Sequence, residues 1–375
     1  MTKITIREVK TRSDLKKFIH LPARIHKDHP NWVPPVYMDE WTFHNPAKNP
    51  AFAHSETIRF MAFRNGKPEG RIMGIINRKY NSIHNEKDAR FSLLDCHDDE
   101  EISSALLDAV EEWARDKGMV NVVGPLAFSD KDPQGLLVEG FHEPVVIATN
   151  CNPEYMVRHI DNAGYGKKTD LVAYKLTVPD EMPEFYLKIR ERAVRNNPGI
   201  RLVEPSRKRE IKKLVTPVFR LVNETFKEIY GFSEMTGKEM KEFSKRYLPI
   251  LHKDFIKVLK NGNDEVVGFV LGIPEISEGI KKSRGYVLPF GIFRILRAQK
   301  KTRQLTLLLG AIHPDYRNSG LDTIMGVSMF ESARKNRLEW MDSHLELESN
   351  TKVRAEMEKM GGVVYKRYRI FTKEL

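Results

Sequence analysis

The chain has 375 residues, and this length predicts about two domains because a single hydrophobic core rarely grows so large. Hydrophobic residues make up 41% and charged residues 30%, and no apolar run reaches the ~18 residues that cross a bilayer, so we expect neither a disordered nor a membrane-spanning chain. The net charge of +11 favours polyanionic partners: nucleic acid, an acidic membrane surface or a multiply phosphorylated cofactor.

Two further features narrow the class of protein. The N-terminus lacks the apolar core of a signal peptide, so we predict a cytoplasmic protein. Cys96 and Cys151 are too few for a disulfide framework or for a zinc site of their own, and we predict no metal.

The first half of the chain has the pattern of an α/β unit. A stretch rich in His, Pro, Trp and Asn, residues 26–60, is too apolar for a linker, and we interpret it as an ordered loop over a cleft. The predicted elements are a strand at 4–9, a helix to about 25, a hairpin around Asn65 and Gly66, a strand at 90–96, a helix at 103–117, a strand at 120–125, a helix at 152–164 and a strand at 171–176.

The second half repeats this order and spacing. Its predicted elements are a strand at 200–203, a helical region to about 230, a hairpin around 263–265, a strand at 305–310, a helix at 322–336, a strand at 344–348 and a helix at 350–361. The sequence therefore predicts two copies of one α/β unit. We place the first domain at 1–182, a connecting helix and linker at 183–199, and the second domain at 200–375.

A basic turn lies between a strand and a helix in the second copy. The apolar run 305–309 ends there, and apolar residues recur at helical spacing from Leu321 onward. Such a turn directs unpaired backbone N–H groups and the positive end of the helix dipole at one point, which suits a phosphate or pyrophosphate. An ordinary turn without a ligand is the alternative interpretation.

The turn at 317–322, Arg-Asn-Ser-Gly-Leu-Asp, resembles the acyl-CoA pyrophosphate loop of the GNAT superfamily of N-acyltransferases, and residues 313–316 resemble the approach to that loop. Asp322 departs from the family pattern, because a carboxylate repels a pyrophosphate unless it points away or has a partner. With the repeat, the resemblance covers nearly the whole chain. It implies two tandem GNAT-like units, each a mixed, mostly antiparallel twisted sheet flanked by helices. The chain is also similar to a bacterial family of double GNAT proteins and, more faintly, to bacterial ceramide synthases, which acylate long-chain amines.

This resemblance implies acetyl-CoA or a longer acyl-CoA as co-substrate. The residues that it assigns to cofactor binding are Ile312, Arg317, Asn318, Ser319, Gly320, Leu321 and Asp322. At the corresponding point of the first copy, residues 95–101 are acidic and lack the glycine, so we predict a degenerate unit that supports folding or shapes the acceptor site.

The predicted strand at 343–350 carries the candidate catalytic groups. His344, Glu346 and Glu348 alternate and would share one face, although a strand covered on both faces should be apolar. Either the strand end reaches solvent or this face lines a cleft. In the second case Glu346 or Glu348 serves as general base, with His344 as the alternative.

The general acid is less clear from the sequence. Asn350 matches the start of a family pattern that places a tyrosine seven residues further on as acid for the departing thiolate, but this chain has Met357, which cannot donate a proton. Tyr365 and Tyr368 can replace this tyrosine as the acid only if the fold brings them back to the site of the thiolate. The enzyme otherwise uses another acid, releases the thiolate to water, or is not a catalyst.

The stretch 280–303 has eight basic residues, no acidic one and interleaved apolar residues. It is interpreted either as a core-packed helix with a solvated basic face or as a contact with an anionic membrane surface or lipid-like acceptor. A nucleic-acid partner is not expected, because no binding module accompanies the charge. We predict that Asn152 and Tyr155 line the acceptor side of the active site. These residues and Phe290 of the basic stretch favour a large or lipid-like amine as substrate.

The sequence thus predicts a CoA-dependent N-acyltransferase that moves an acyl group from acyl-CoA to an amine acceptor. The alternative is a catalytically silent GNAT-like binding or scaffold protein.

Overall fold

The computed structural model describes residues 3–227 and 229–375. These residues form one mixed β-sheet of fourteen strands flanked by helices. The strands are β1 (Ile4–Glu8), β2 (Ser55–Arg64), β3 (Lys67–Asn77), β4 (Asp88–Cys96), β5 (Asn121–Gly124), β6 (Leu136–Glu139), β7 (Gly166–Thr177), β8 (Arg201–Val203), β9 (Ile256–Lys260), β10 (Val266–Pro274), β11 (Gln304–Ile312), β12 (Trp340–Asp342), β13 (Glu346–Leu347) and β14 (Val363–Glu374).

Helices flank this sheet. They are α1 (Arg12–His20), α2 (Pro22–Ile25), α3 (Tyr37–Phe43), α4 (Arg78–His84), α5 (Glu100–Asp116), α6 (Tyr155–Asn162), α7 (Glu184–Asn196), α8 (Lys208–Thr225), α9 (Gly237–Tyr247), α10 (Ser277–Lys282), α11 (Gly291–Lys301), α12 (Leu321–Lys335) and α13 (Thr351–Lys359). Within the described part of the chain, none of them combines the length and the apolar character that a bilayer crossing requires.

The internal repeat that the sequence predicts is present in the sheet. Strands β1 to β5 and β8 to β12 follow the same order, and each set ends in a parallel pair, β4 with β5 and β11 with β12. The long helix α5 connects the first pair and α12 the second. The hairpins at Asn65 and Asp264 turn through left-handed residues, as their sequences predict.

The last strand of each half crosses into the other half. The order at the centre of the sheet is β5, β14, β7, β12, so β14 pairs with β5 of the first half and β7 with β12 of the second. Val172, Tyr174 and Leu176 of β7 are buried in the core of the second half with Phe330 and Met341. Phe371 of β14 is buried in the core of the first half. Each half therefore completes its core with a strand from the other.

One predicted element is wrong. The sequence predicts a single strand at 343–350, but the structure has two short strands, β12 and β13, separated at His344. His344 has a φ of 60°, and this left-handed conformation ends the extended chain. His344, Glu346 and Glu348 therefore do not share one face of a continuous strand.

Candidate active site

An opening in the sheet lies where β11 separates from its neighbour. β11 pairs with β12 only from Gln304 to Thr306. Beyond this point β11 continues to Ile312 with β10 alone, and a bulge shifts its register between Leu307 and Leu309. On the opposite side of the opening, β13 pairs with β7 instead. The backbone groups of residues 307–312 that face the opening therefore have no strand partner among the described residues.

The basic turn after β11 stands at the end of this opening. A short 3₁₀ helix, Pro314–Tyr316, leads into Asn318 and Gly320, which have φ values of 61° and 81°. The Ser319 hydroxyl donates to the Tyr316 carbonyl at 2.5 Å and closes the turn. Helix α12 then begins at Leu321 without a side-chain cap. Its first N–H groups are therefore available to a ligand.

The connecting segment at 183–199 braces this turn. The Asn197 side chain donates to the Ser319 carbonyl at 3.0 Å and to the Ala193 carbonyl at 2.7 Å. A Cβ atom at Gly320 would lie 2.8 Å from the Cβ of Ala193. Only glycine allows the turn to approach α7 so closely at this backbone angle.

Arg317 supplies the positive charge of the turn. Its side chain is exposed, and its Nε donates to the Ile312 carbonyl at 3.3 Å. The guanidinium forms no ion pair with any residue in the described ranges. An anion at the start of α12 would therefore find an uncommitted cation beside it.

Three carboxyl groups, on α12, α13 and β13, interact with one another. Burial, followed by the carboxyl of Asp322 in the first turn of α12, raises the pKa of Glu356 on α13 to about 7. Burial, followed by the Glu356 carboxyl, raises the pKa of Glu346 on β13 to about 8. Glu346 and Glu356 are therefore partly protonated at neutral pH. Sequence reasoning missed Glu356, and its position beside Met357 was the only available signal.

No protein-family model matches the chain. It is 28% identical to a protein of Caulobacter vibrioides named bacterial ceramide synthase, over 99% of this chain and 98% of that protein. It is 26% identical to protein YghO of Escherichia coli, over 99% and 95%. A solved tandem GNAT protein from the clavulanic acid biosynthesis pathway superposes with a TM-score of 0.57 and 11% identity, over 99% of this chain and 98% of that one. The chain has the tandem GNAT fold.

The other predicted catalytic residues of the second GNAT unit differ in their surroundings. Glu348 forms ion pairs with Lys167, at 2.8 Å, and with Arg367, and the Lys167 hydrogen bond lowers its pKa. Burial lowers the pKa of His344, and its Nε2 has no hydrogen-bond partner among the described residues. Asn350 caps α13 by accepting from the Val353 N–H at 3.5 Å. Glu346 and His344 are thus more available for proton transfer than Glu348.

The fold does bring the two late tyrosines of β14 back toward β12. The Tyr365 hydroxyl donates to the Asp342 carboxylate, and the Asp342 carboxylate also accepts from the His344 N–H at 2.8 Å. Tyr368 is fully buried in the same region of the sheet. Tyr365 is therefore committed to Asp342, next to the point where β11 and β12 separate.

The predicted acceptor residues are not gathered in one place. Asn152 is buried and hydrogen-bonds both backbone groups of Leu137, at 2.7 and 3.1 Å. The Tyr155 hydroxyl donates to the Cys96 carbonyl at 2.7 Å. Both side chains thus have structural partners within the first GNAT unit, whereas Phe290 lies exposed in the second.

A cleft of about 600 Å³ separates the two GNAT units on one side of the sheet. Val33 and Val145 line it from the first unit, and Lys281 and Gln304 line it from the second. Glu275, also in its lining, accepts a hydrogen bond from Thr306 at 2.9 Å. Thr306, the last residue of β11 that pairs with β12, is itself buried, so Glu275 links the lining of the cleft to the start of the opening through one hydrogen bond.

The first unit has the same strand separation with different surroundings. β4 pairs with β5 only from Asp88 to Arg90 and continues to Cys96, and one further backbone bond, from the Leu126 N–H to the Phe91 carbonyl at 2.9 Å, follows the last pair. The Asp95 carboxylate accepts from Arg71 at 2.8 Å and pairs with His26 at 2.6 Å. The two units thus differ in these partners and at the start of the next helix, which Asp99 caps in α5 but no side chain caps in α12.

Proposed function

We propose that the protein is a CoA-dependent N-acyltransferase with one working site, in its second GNAT unit. The observation that carries this proposal is the opening beside β11, which ends at the uncapped start of α12. The 28% identity to a protein named bacterial ceramide synthase supports acyl transfer as the reaction class. In the first unit the start of α5 is capped by Asp99, and Asp95 is held by Arg71 and His26; both observations support the prediction that this unit is degenerate.

The residues of the turn fit the pyrophosphate of acyl-CoA. Gly320 and Asn318 adopt left-handed angles that present successive N–H groups, and Arg317 adds a charge without an internal partner. The unpaired edge of β11, residues 307–312, suits the amide groups of the pantetheine arm, because these can hydrogen-bond as an additional strand does. Bound acyl-CoA supplies the activated acyl group as a thioester.

Proton transfer is assigned to the two carboxyl groups at the opening. An amine must lose a proton to attack a thioester, and Glu346, with a pKa near 8, accepts and releases protons in the physiological range. When two acidic groups interact and both have raised pKa values, one of them is protonated in a large fraction of the molecules at neutral pH. We therefore assign proton transfer to Glu346 and Glu356 as a pair, in which the ionised member acts as base and the protonated member as proton donor in place of Met357, with His344 as an alternative base.

The acceptor that we propose is a large, partly apolar amine such as a lipid. The cleft between the units is linked to the opening through Glu275 and Thr306, and its lining combines valine side chains with lysine and glutamate. Such a mixed lining suits a molecule with both a polar head and an apolar body. The name of the Caulobacter vibrioides relative points to the same class of acceptor.

Binding and transfer can be tested separately. Calorimetry with acetyl-CoA and palmitoyl-CoA should show binding, and mass spectrometry with long-chain amines should show an acylated product. Glu346→Gln should retain binding and lose transfer by about 10²–10⁴-fold, the usual contribution of a general base. Glu112→Gln, on the exposed face of α5, is the matched control.

A silent GNAT-like scaffold is the second candidate. The sequence feature that favours it is Met357 at the position where the family pattern has a tyrosine. Absence of heat and of thermal stabilisation with every acyl-CoA would favour this alternative over the enzyme.

A further inference from the structure

We infer that α11 and the loop before it form a surface that docks the protein on an anionic lipid bilayer. This inference goes beyond the proposed reaction and does not depend on it. The surface, called the α11 surface below, consists of the exposed apolar and basic side chains of residues 284–301. Its apolar members are Tyr286, Leu288, Phe290, Phe293 and Leu296.

Large apolar side chains are concentrated on this surface. The described residues include twelve exposed large hydrophobic side chains, and five of them fall within residues 286–296. Leu288, Phe290 and Phe293 are 69%, 72% and 67% exposed. Single exposed apolar residues are ordinary, but a contiguous group marks an interaction site.

The loop holds these side chains away from the core. The Tyr286 carbonyl oxygen would lie 1.8 Å from a Cβ at Gly291, so the two ends of the loop are in close contact. The Ile292 N–H donates to the Val287 carbonyl at 2.7 Å and closes the loop further. The Gly285 carbonyl accepts from the Tyr37 N–H at 3.1 Å, which ties the loop to α3. Leu288 and Phe290 are thus presented by a fixed turn.

The apolar group is surrounded by an excess of positive charge. Residues 280–303 contain eight basic residues and no acidic one. Arg297 and Lys300 follow Phe293 at intervals of four and seven residues, so they lie on the same exposed face of α11. Two of the basic residues in 280–303 form ion pairs, Lys282 with Glu278 and Arg303 with Glu339, and two donate to backbone carbonyls, Lys281 and Arg294. The basic residues of this segment without either kind of contact to a described residue are Arg284, Arg297, Lys300 and Lys301.

This combination selects an anionic bilayer from the possible occupants. Apolar side chains enter the boundary between headgroups and acyl chains, while cations interact with anionic headgroups. A second copy of the chain would bring an identical basic face and a net charge of +11 into contact with this one. Like-charge repulsion therefore opposes self-association at the α11 surface.

Docking also places the cleft next to the bilayer. Arg294, Arg297 and Lys301 of α11 line the cleft between the two units. A lipid amine could then pass from the membrane into the cleft without crossing water. This route rests on the proposed function, whereas docking itself does not.

The test is sedimentation of the full chain with phosphatidylcholine vesicles, with and without a third of phosphatidylglycerol. The wild-type protein should bind the anionic vesicles, and added salt should weaken this binding. Phe290→Ser with Phe293→Ser should reduce the bound fraction at least tenfold, and Arg284→Gln with Lys300→Gln, which do not line the cleft, should reduce both binding and its salt dependence. Phe185→Ser is the matched control, because Phe185 on α7 is 66% exposed and lies outside the α11 surface.

Three results would overturn the inference. The wild-type protein would not bind anionic vesicles, or Phe185→Ser would reduce binding as much as the variants of the α11 surface do. In the third case, light scattering would show that the wild-type protein is a dimer and that the phenylalanine variants are monomers. Unchanged circular dichroism and unchanged acyl-CoA binding of the variants show that the fold and the active site are intact. A failure of docking is thereby separated from a failure of the proposed reaction.

Discussion

The exchange of β7 and β14 predicts that the second half cannot fold when it is separated at the predicted domain boundary. The perturbation is a fragment of residues 200–375, which contains β8 to β14 but lacks β7. In the full chain β7 pairs with β12, β13 and β14 of that fragment. The fragment therefore loses a central strand, whereas loss of an edge strand would leave the remaining pairs intact.

The magnitude follows from the side chains that leave the core. Val172, Tyr174 and Leu176 are almost completely buried among second-half residues. At about 1.5–3 kcal/mol for each large apolar side chain, their absence removes about 5–9 kcal/mol before any backbone hydrogen bond is counted. A whole domain is stable by only about 5–15 kcal/mol, so the fragment should be unfolded or molten.

Tryptophan fluorescence during urea unfolding provides the assay. Trp340 is the single tryptophan of the fragment, it lies opposite Thr177 of β7, and Lys175 of β7 sits 4.7 Å from its ring. The fragment should show no cooperative transition. A control fragment of residues 164–375, which retains β7, should show one. The reasoning is refuted if residues 200–375 alone unfold cooperatively with native-like circular dichroism.

Three more predictions concern the active site. Gly320→Val should lower the free energy of unfolding by about 2–4 kcal/mol, because the left-handed backbone and the contact with Ala193 both disfavour a side chain, and it should weaken acyl-CoA binding. Gly199→Val is the control, because a Cβ atom there meets no atom within 4 Å, and it should change neither stability nor binding. Thermal melts measure the first quantity and calorimetry the second. Arg317→Ala should weaken acyl-CoA binding by about 1–3 kcal/mol without changing stability, while Arg192→Ala on α7 should not; equal affinity of both variants would move the pyrophosphate elsewhere. Because the pKa of Glu346 is raised from 4.5 to about 8, the folded chain holds a proton that the unfolded chain has released, so folding stability falls as pH rises through this window. In Glu346→Gln this fall should shrink, and the increase of the transfer rate with pH up to about 8 should disappear; pH profiles of urea midpoints and of product formation measure both.

The tandem GNAT fold was predictable because its signals are local. The turn at 317–322 carries its own glycine and arginine, and the two halves repeat strand and helix patterns at matching intervals. The brace from Ala193 and Asn197 was not predicted, because the sequence describes residues 183–199 only as a charged helix and a breaker. The limits of the two domains remain a prediction.

The strand exchange was not predictable from periodicity. The alternation of Val172, Tyr174 and Leu176 indicates that one face of β7 is buried, but it does not identify the neighbouring strand. The break at His344 was missed for a different reason. Non-glycine residues rarely adopt a left-handed angle, and no local feature marked this one, so three polar residues were assigned to one strand face.

The sequence of β11 affects the tendency of the chain to aggregate during synthesis and refolding. Its nine residues, Gln304–Ile312, contain no charge and no proline, a composition that favours stacked intermolecular strands when the segment is exposed. Arg303 stands directly before them and Pro314 and Asp315 shortly after, and such flanking residues oppose aggregation. The same edge that would hold a co-substrate in the folded protein is thus a hazard in the unfolded chain, and the residues around it limit that hazard.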